Sequence, residues 1–279
     1  MEAIMLNSNW NTQTYEVIED LVYKIPERIP NEVRFRDFES LPDPVARYLR
    51  LALTEGQPQI EAVRLTQSGQ FRTGLWFPFQ AEQYVSTNPV SFVWDATIRM
   101  AGLIPMKVRD AYLEGNGSML AKVFGIFPFL HQQDAEEINI AALQRYLAES
   151  VWYPSALLPS DRLIWTQLDY NRAVATLKDG KREASLEFDF NDRGEIETTF
   201  TPGRYRYEDG KFVLTPWIGY YTDYRQLHGM RIPMKAEVEW ILPENRRFPY
   251  FKGNLASIEF NGDVLARFSP SFSCSCESL

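Results

Sequence analysis

The sequence predicts a mainly β protein of the α+β kind: one large curved antiparallel sheet, an open half-barrel, with three helices packed on or plugging its concave side. Three observations predict it. First, strand-like segments alternate apolar and polar residues. In Arg182–Phe190, Ala184, Leu186, Phe188 and Phe190 face one way and Glu183, Ser185, Glu187 and Asp189 the other. Such alternation means one buried face and one wet face, the antiparallel case. Second, short turn signals at Asp179-Gly180, Asp192–Gly194 and Asp209-Gly210 join these segments as hairpins. Third, helices do not alternate with strands, which excludes a parallel α/β arrangement. A sheet of roughly nine to eleven strands is expected to curl, and three helices then have a hollow to fill.

Along the chain, Thr14 precedes a helical stripe of Tyr15, Ile18, Leu21 and Val22 that Pro26 and Pro30 stop. An extended linker over 33–43 leads to a second helix. Asp43 suits its N-cap, Pro44 its first position, and Val45, Leu49, Ala52 and Leu53 its apolar stripe. From Ile60 the period changes to two, giving strands at Ile60–Arg72, Phe79–Thr87, Val90–Met100, Ile104–Gly115 and Ser118–Phe124. Asp134 with Glu137 then reads as a capping box for a third helix. Its stripe is Ile140, Leu143, Leu147 and Val151, and Pro154 ends it. Lys235–Trp240 alternates again, with Ala236, Val238 and Trp240 inward. Residues 1–40 are thus an N-terminal helix and linker, 41–262 one curved-sheet domain, and 263–279 a flexible tail.

Composition narrows the function. The formal net charge is −8 with both signs interspersed, which repels phosphate backbones and argues against nucleic acid as a partner. The longest apolar stretch, around Val123–Leu130, is too short to span a bilayer. No export signal is legible at the start, so the expectation is a soluble, cytoplasmic protein without a transmembrane segment. Cys274 and Cys276 stand in the tail too close for an unstrained disulfide and without partners for zinc. The final Cys-Glu-Ser-Leu lacks the aliphatic centre of a prenylation box. No cofactor and no metal site are expected.

The sequence carries no recognisable catalytic motif. Its two histidines, His131 and His228, fall in loop-like contexts, and no catalytic residue is assigned. Glu183, Glu187, Asp189, Glu237 and Glu239 lie on solvated faces by period two. One carboxylate resists that explanation. Pairing Val90–Met100 with Ile104–Gly115 as a hairpin closed by Ala101–Leu103 sets Phe92 opposite Tyr112, Ala96 opposite Val108 and Ile98 opposite Met106. The other face then matches Asp95 with Arg109 and Thr97 with Lys107. The same register places Asp110 on the apolar face, opposite Trp94. Such a carboxylate needs a partner: either it is an anchor, accepting from a residue such as Arg145 or from loop amides, or it is a polar group on a pocket floor. The uncharged stretch Trp152–Pro159 reads as a core plug or as pocket lining, and Pro216-Trp217-Ile218 is similar material. The ligand-binding candidates are therefore Trp94, Asp110, Tyr112, Arg145, Trp152, Tyr153 and Trp217.

Several of these residues also carry a resemblance. Arg47-Tyr48-Leu49, Trp94-Asp95-Ala96, Val108–Tyr112 with Gly115 and Gly117, and Arg145–Trp152 with Ala156–Pro159 resemble the pattern of an uncharacterised bacterial family over residues 40–260. That family has no assigned function and supplies no catalytic residues. The predicted architecture is similar to the bacterial lipoprotein-carrier fold, an open half-barrel whose hollow is closed by helices and loops. Together these readings point to a non-enzymatic binding protein for an apolar or lipid-like molecule. A protein-interaction module with a solid core is the alternative, and an enzyme acting on a small apolar substrate comes third.

Overall fold

In a computed structural model of the protein, residues 2–101 and 104–268 are described. The chain forms α1 (Glu2–Tyr23), α2 (Asp43–Ala52), β1 (Ala62–Thr73), β2 (Leu75–Thr87), β3 (Val90–Met100), β4 (Ile104–Leu113), β5 (Asn116–Val123) and β6 (Phe127–Gln133). It continues with α3 (Glu136–Glu149), β7 (Leu163–Gln167), β8 (Arg172–Asp179), β9 (Arg182–Phe190), β10 (Ile196–Glu208), β11 (Lys211–Leu227), β12 (Met230–Leu242), β13 (Arg246–Phe260) and the short α4 (Gly262–Leu265). Among the described residues, all strands belong to one 13-stranded antiparallel sheet in the order β6-β5-β4-β3-β2-β1-β13-β12-β11-β10-β9-β8-β7. Two meanders, β1–β6 and β7–β13, are thus joined where β13 pairs with β1. β6 and β7 are opposite edges, so the connection between them must cross from one edge to the other.

That connection carries α3, and it crosses through the hollow. α3 touches β4 and β5 on one side and β9 and β10 on the other. In a flat sheet β5 and β9 stand nine strand spacings apart, roughly 43 Å. A helix about 10 Å wide meets both only if the sheet curls around it. The rim closes at one end, where the Tyr112 hydroxyl of β4 donates to Asp179 of β8 at 2.7 Å and Arg182 of β9 pairs with Glu136 of α3 at 3.2 Å. Gly117 permits the close approach: a methyl group there would lie 2.8 Å from the Ile138 carbonyl oxygen, and its N–H donates to Asn139 at 2.7 Å. α3 is consequently buried nearly all round, with Ile138, Ala142 and Tyr146 covered as well as the predicted Leu143 and Leu147.

The β3–β4 register is the predicted one at every position named: Phe92 with Tyr112, Trp94 with Asp110, Asp95 with Arg109, Ala96 with Val108, Thr97 with Lys107 and Ile98 with Met106. The predicted inward residues of β9 and of Lys235–Trp240 also face the core, Val238 as a partly buried member. Positions 102 and 103 of the predicted closing turn, and Cys274 and Cys276, lie outside the described residues.

Other expectations need correction. α1 does not fill the hollow. Its Ile18, Leu21 and Val22, with Ile25 just beyond it, pack on Ala62, Tyr84, Val93 and Ala111, the opposite face of the sheet, together with Val264 of α4. The helix begins at Glu2, which places Thr14 in its middle. The face expected to be wet around Asp95 and Arg109 is therefore covered. The Trp10 indole donates to Asp95 at 2.9 Å, and Arg109 lies over the Trp10 ring and donates to Thr14 at 3.4 Å. Burial raises the Asp95 pKa above its usual value despite the Trp10 hydrogen bond, and burial lowers that of Arg109. Asp134 does not cap α3; it turns the chain at φ 59°, and Ala135 takes the cap position without a side-chain bond. At the start of the expected loose tail, Val264 is buried and Phe268 packs against Tyr15 and Tyr84. His131 lies on β6, opposite Leu120.

A methyl group at Gly69 of β1 would sit 1.9 Å from the Lys252 carbonyl oxygen of β13, the junction of the two meanders. Gly69→Ala is expected to destabilise by about 3 kcal/mol, read as a lower urea midpoint. Glu195, 1 % exposed, pairs with Arg231 at 2.5 Å and Arg193 at 3.0 Å and accepts from Asn191 at 3.1 Å. Burial opposes its charge, but these partners hold its pKa below the ordinary 4.5. Below that pH the unfolded chain binds the extra proton, so the contribution is present above pH 4.5 and lost as pH falls through the lower folded value. Glu195→Gln is expected to cost about 2 kcal/mol at pH 7 and to flatten the acid limb of stability against pH, measured by urea unfolding.

Candidate functional site

Between α3 and the inner face of the sheet lies a cavity of about 490 Å³, within the range of small-molecule sites. Period two builds one wall. Trp94 and Ile98 of β3, Met106, Val108 and Asp110 of β4, and Met119 and Ala121 of β5 all point inward. Register stacks them in rows, with Trp94 beside Asp110 beside Met119. The facing wall is aromatic. Trp217 of β11 pairs with Trp240 of β12, Trp240 stacks on Tyr250 of β13 with ring centroids 5.6 Å apart, and the Trp217 indole donates to the Tyr250 hydroxyl at 2.9 Å. Trp152, in the 3-10 turn that follows α3, lines the cavity with its indole donating to the Pro233 carbonyl at 3.0 Å.

The polar groups of the first wall are bound to each other. Arg145 of α3 donates to Asp110 at 2.5 Å and to Glu149 at 2.7 Å, and Gln83 of β2 donates to Glu149 at 2.6 Å. The guanidinium also lies over the Phe92 and Trp94 rings, about 5 Å from their centroids. Burial opposes the Arg145 charge; Glu149 and Asp110 outweigh it and hold its pKa above the ordinary value. Asp110 is thus an anchor between β4 and α3 while also lining the cavity. Among the described residues, no group of three histidine, cysteine or carboxylate side chains gathers to hold a metal ion.

Of the seven residues singled out in the sequence, the fold brings Trp94, Asp110, Arg145, Trp152 and Trp217 together around the cavity. Tyr112 and Tyr153 are not among its lining. Tyr112 faces the same way as Asp110 but two residues nearer the closed end, where its hydroxyl is taken by Asp179. Tyr153 is fully buried, with its hydroxyl on the Tyr146 carbonyl at 3.1 Å. The Trp152–Pro159 stretch is therefore largely core plug, with Trp152 reaching the cavity. His228 stands at φ 49° in the β11–β12 turn, a turn residue packed against Phe260.

Sequence reasoning missed Arg204 and Tyr250. β10 carries a bulge between Thr201 and Arg204: Thr201 pairs with Trp217, yet Arg204 pairs with Thr215. The one extra residue moves even-numbered positions onto the inner face, so Arg204 points into the cavity. Pro202-Gly203 in mid-strand was the signal available.

The chain belongs to DUF6920, a family of unknown function whose model matches residues 39–260. No curated protein sequence matches it. Among solved structures it is similar to a DUF1329 family protein from Desulfovibrio piger ATCC 29098, at 11% identity and a TM-score of 0.42, covering 85% of this chain and 97% of that one. It is similar to a LolA superfamily protein from Nitrosomonas europaea, at 8% identity and a TM-score of 0.41, covering 82% and 97%. A β-barrel-like DUF1849 protein from Brucella abortus also matches, at 11% identity and a TM-score of 0.23, covering 73% and 99%. Among the described residues, no helix is long and apolar enough to cross a membrane.

Proposed function

We propose that this member of the DUF6920 family is a binding protein that holds an apolar or lipid-like molecule in the hollow of its sheet. One observation carries the reading: a cavity of about 490 Å³ whose walls are largely Trp, Phe, Met and Val side chains, with its Asp110 and Glu149 carboxylates already ion-paired to Arg145. Removing apolar surface from water is favourable by about 25 cal/mol per Å², and a preformed pocket spares much of the ordering cost of binding. Aromatic walls with few fixed hydrogen-bonding groups select for shape and apolarity rather than for a particular polar pattern.

Organic extraction and native mass spectrometry of the purified protein test this. A discrete added mass that extracts into solvent as an apolar compound is the expected result. Protein of bare mass that takes up no added apolar compound would refute the reading.

A further inference from the structure

Four arginines line the cavity, Arg72, Arg145, Arg204 and Arg206, and two of them, Arg145 and Arg204, are in opposite situations. Arg145 meets two carboxylates. Arg204 meets none: among the described residues no carboxylate lies within 4 Å of its guanidinium. One terminal nitrogen donates to the Ala141 carbonyl of α3 at 3.2 Å and the other to the Tyr250 hydroxyl at 3.4 Å. Its Nε is out of water with no acceptor. The guanidinium lies over both the Trp217 and Trp240 rings, 5.4 Å from each centroid, which offsets part of its lost hydration. The residue is half-buried, so its charge has lost part of its hydration without gaining an anion, which is unfavourable. Tyr250 sharpens the picture. Its oxygen accepts from both Trp217 and Arg204, and its own hydrogen has no acceptor among the described residues.

We propose that Arg204 and Tyr250 receive the head of a long-chain carboxylate whose hydrocarbon chain lies along the Trp94–Met119 wall. This rests on the cavity reading above and names its ligand class. One guanidinium and one hydroxyl match a monoanionic carboxylate; a phosphate, with more charge and more acceptor oxygens, needs more donors than these two residues provide. Of the other arginines on the cavity, Arg206 of the same strand pairs with Glu208 at 2.6 Å, and Arg72 lies over the Phe248 ring with its Nε donating to the Gly74 carbonyl at 3.2 Å. The remaining carboxylate on the cavity, Glu137, lies one helical turn before Ala141 and beyond ion-pair distance of Arg204. It weakens the local positive potential without cancelling the contact.

The test uses the full chain, stripped of lipid, and three fluorescent probes: cis-parinarate, its methyl ester, and the neutral N-phenyl-1-naphthylamine. Wild-type protein is expected to bind parinarate about tenfold tighter than the ester, with a preference that weakens as salt is added. Arg204→Gln and Tyr250→Phe are each expected to reduce that preference, Arg204→Gln to about twofold or less and Tyr250→Phe part of the way, with the neutral probe's affinity changing less than that of parinarate; Arg204→Lys retains part of it. Equal wild-type binding of parinarate and ester, alongside firm binding of the neutral probe, would overturn the carboxylate assignment and leave the cavity reading standing. Failure of all three probes to bind the folded wild type would overturn both.

Discussion

Arg145→Leu is expected to destabilise the protein by about 4 kcal/mol, because it leaves Asp110 and Glu149 facing the apolar interior without their shared cation. The loss is larger than that of any surface ion pair here, since the side chains of Arg145, Asp110 and Glu149 are 17%, 9% and 15% exposed. Urea unfolding followed by far-ultraviolet circular dichroism measures it. Asp110→Asn is the milder companion. Asparagine keeps an acceptor oxygen for Arg145, so about 1–2 kcal/mol of stability is expected to go while affinity for an apolar probe stays the same. A binding defect in Asp110→Asn at full stability would show instead that this carboxylate contacts ligand directly.

The second large effect is on binding. Met119→Trp on β5 combined with Val238→Trp on β12 fills the cavity from two walls. Affinity for N-phenyl-1-naphthylamine is expected to fall by more than about tenfold, with stability changed by no more than about 1–2 kcal/mol. Both positions are half-buried and border open space, so the added rings meet void before they meet packed neighbours. Unchanged affinity in the folded double variant would mean that the probe binds elsewhere.

The parts of this arrangement that could be read in advance are those where local pattern and tertiary contact agree. The β3–β4 hairpin was legible because both faces match in one register, apolar with apolar and Asp95 with Arg109. That same match concealed where α1 docks. Two opposite charges look solvated in sequence, and nothing local says that a helix carrying Trp10 will cover them. β6 escaped notice because Phe127-Pro128-Phe129-Leu130 does not alternate and, at an edge, needs partners on one side only. α3 shows a stripe because some of its residues are apolar, but the curled sheet buries Asn139 and Gln144 on it as well, which no amphipathic pattern announces. Arg204 was hidden by one extra residue in β10, since period two carried past Pro202-Gly203 assigns it to the wrong face. The family-like glycines are explained by geometry: Gly115 turns the chain at φ 83°, and Gly117 admits α3.

The cavity is the centre of this account, and titration of the lipid-stripped wild-type chain with N-phenyl-1-naphthylamine tests it most directly. A single saturable site, with the blue-shifted emission of a probe removed from water and stoichiometry near one, is the result the structure predicts. Emission that rises linearly without saturation, or does not rise at all, from protein whose circular dichroism shows the β-rich fold intact, would contradict it.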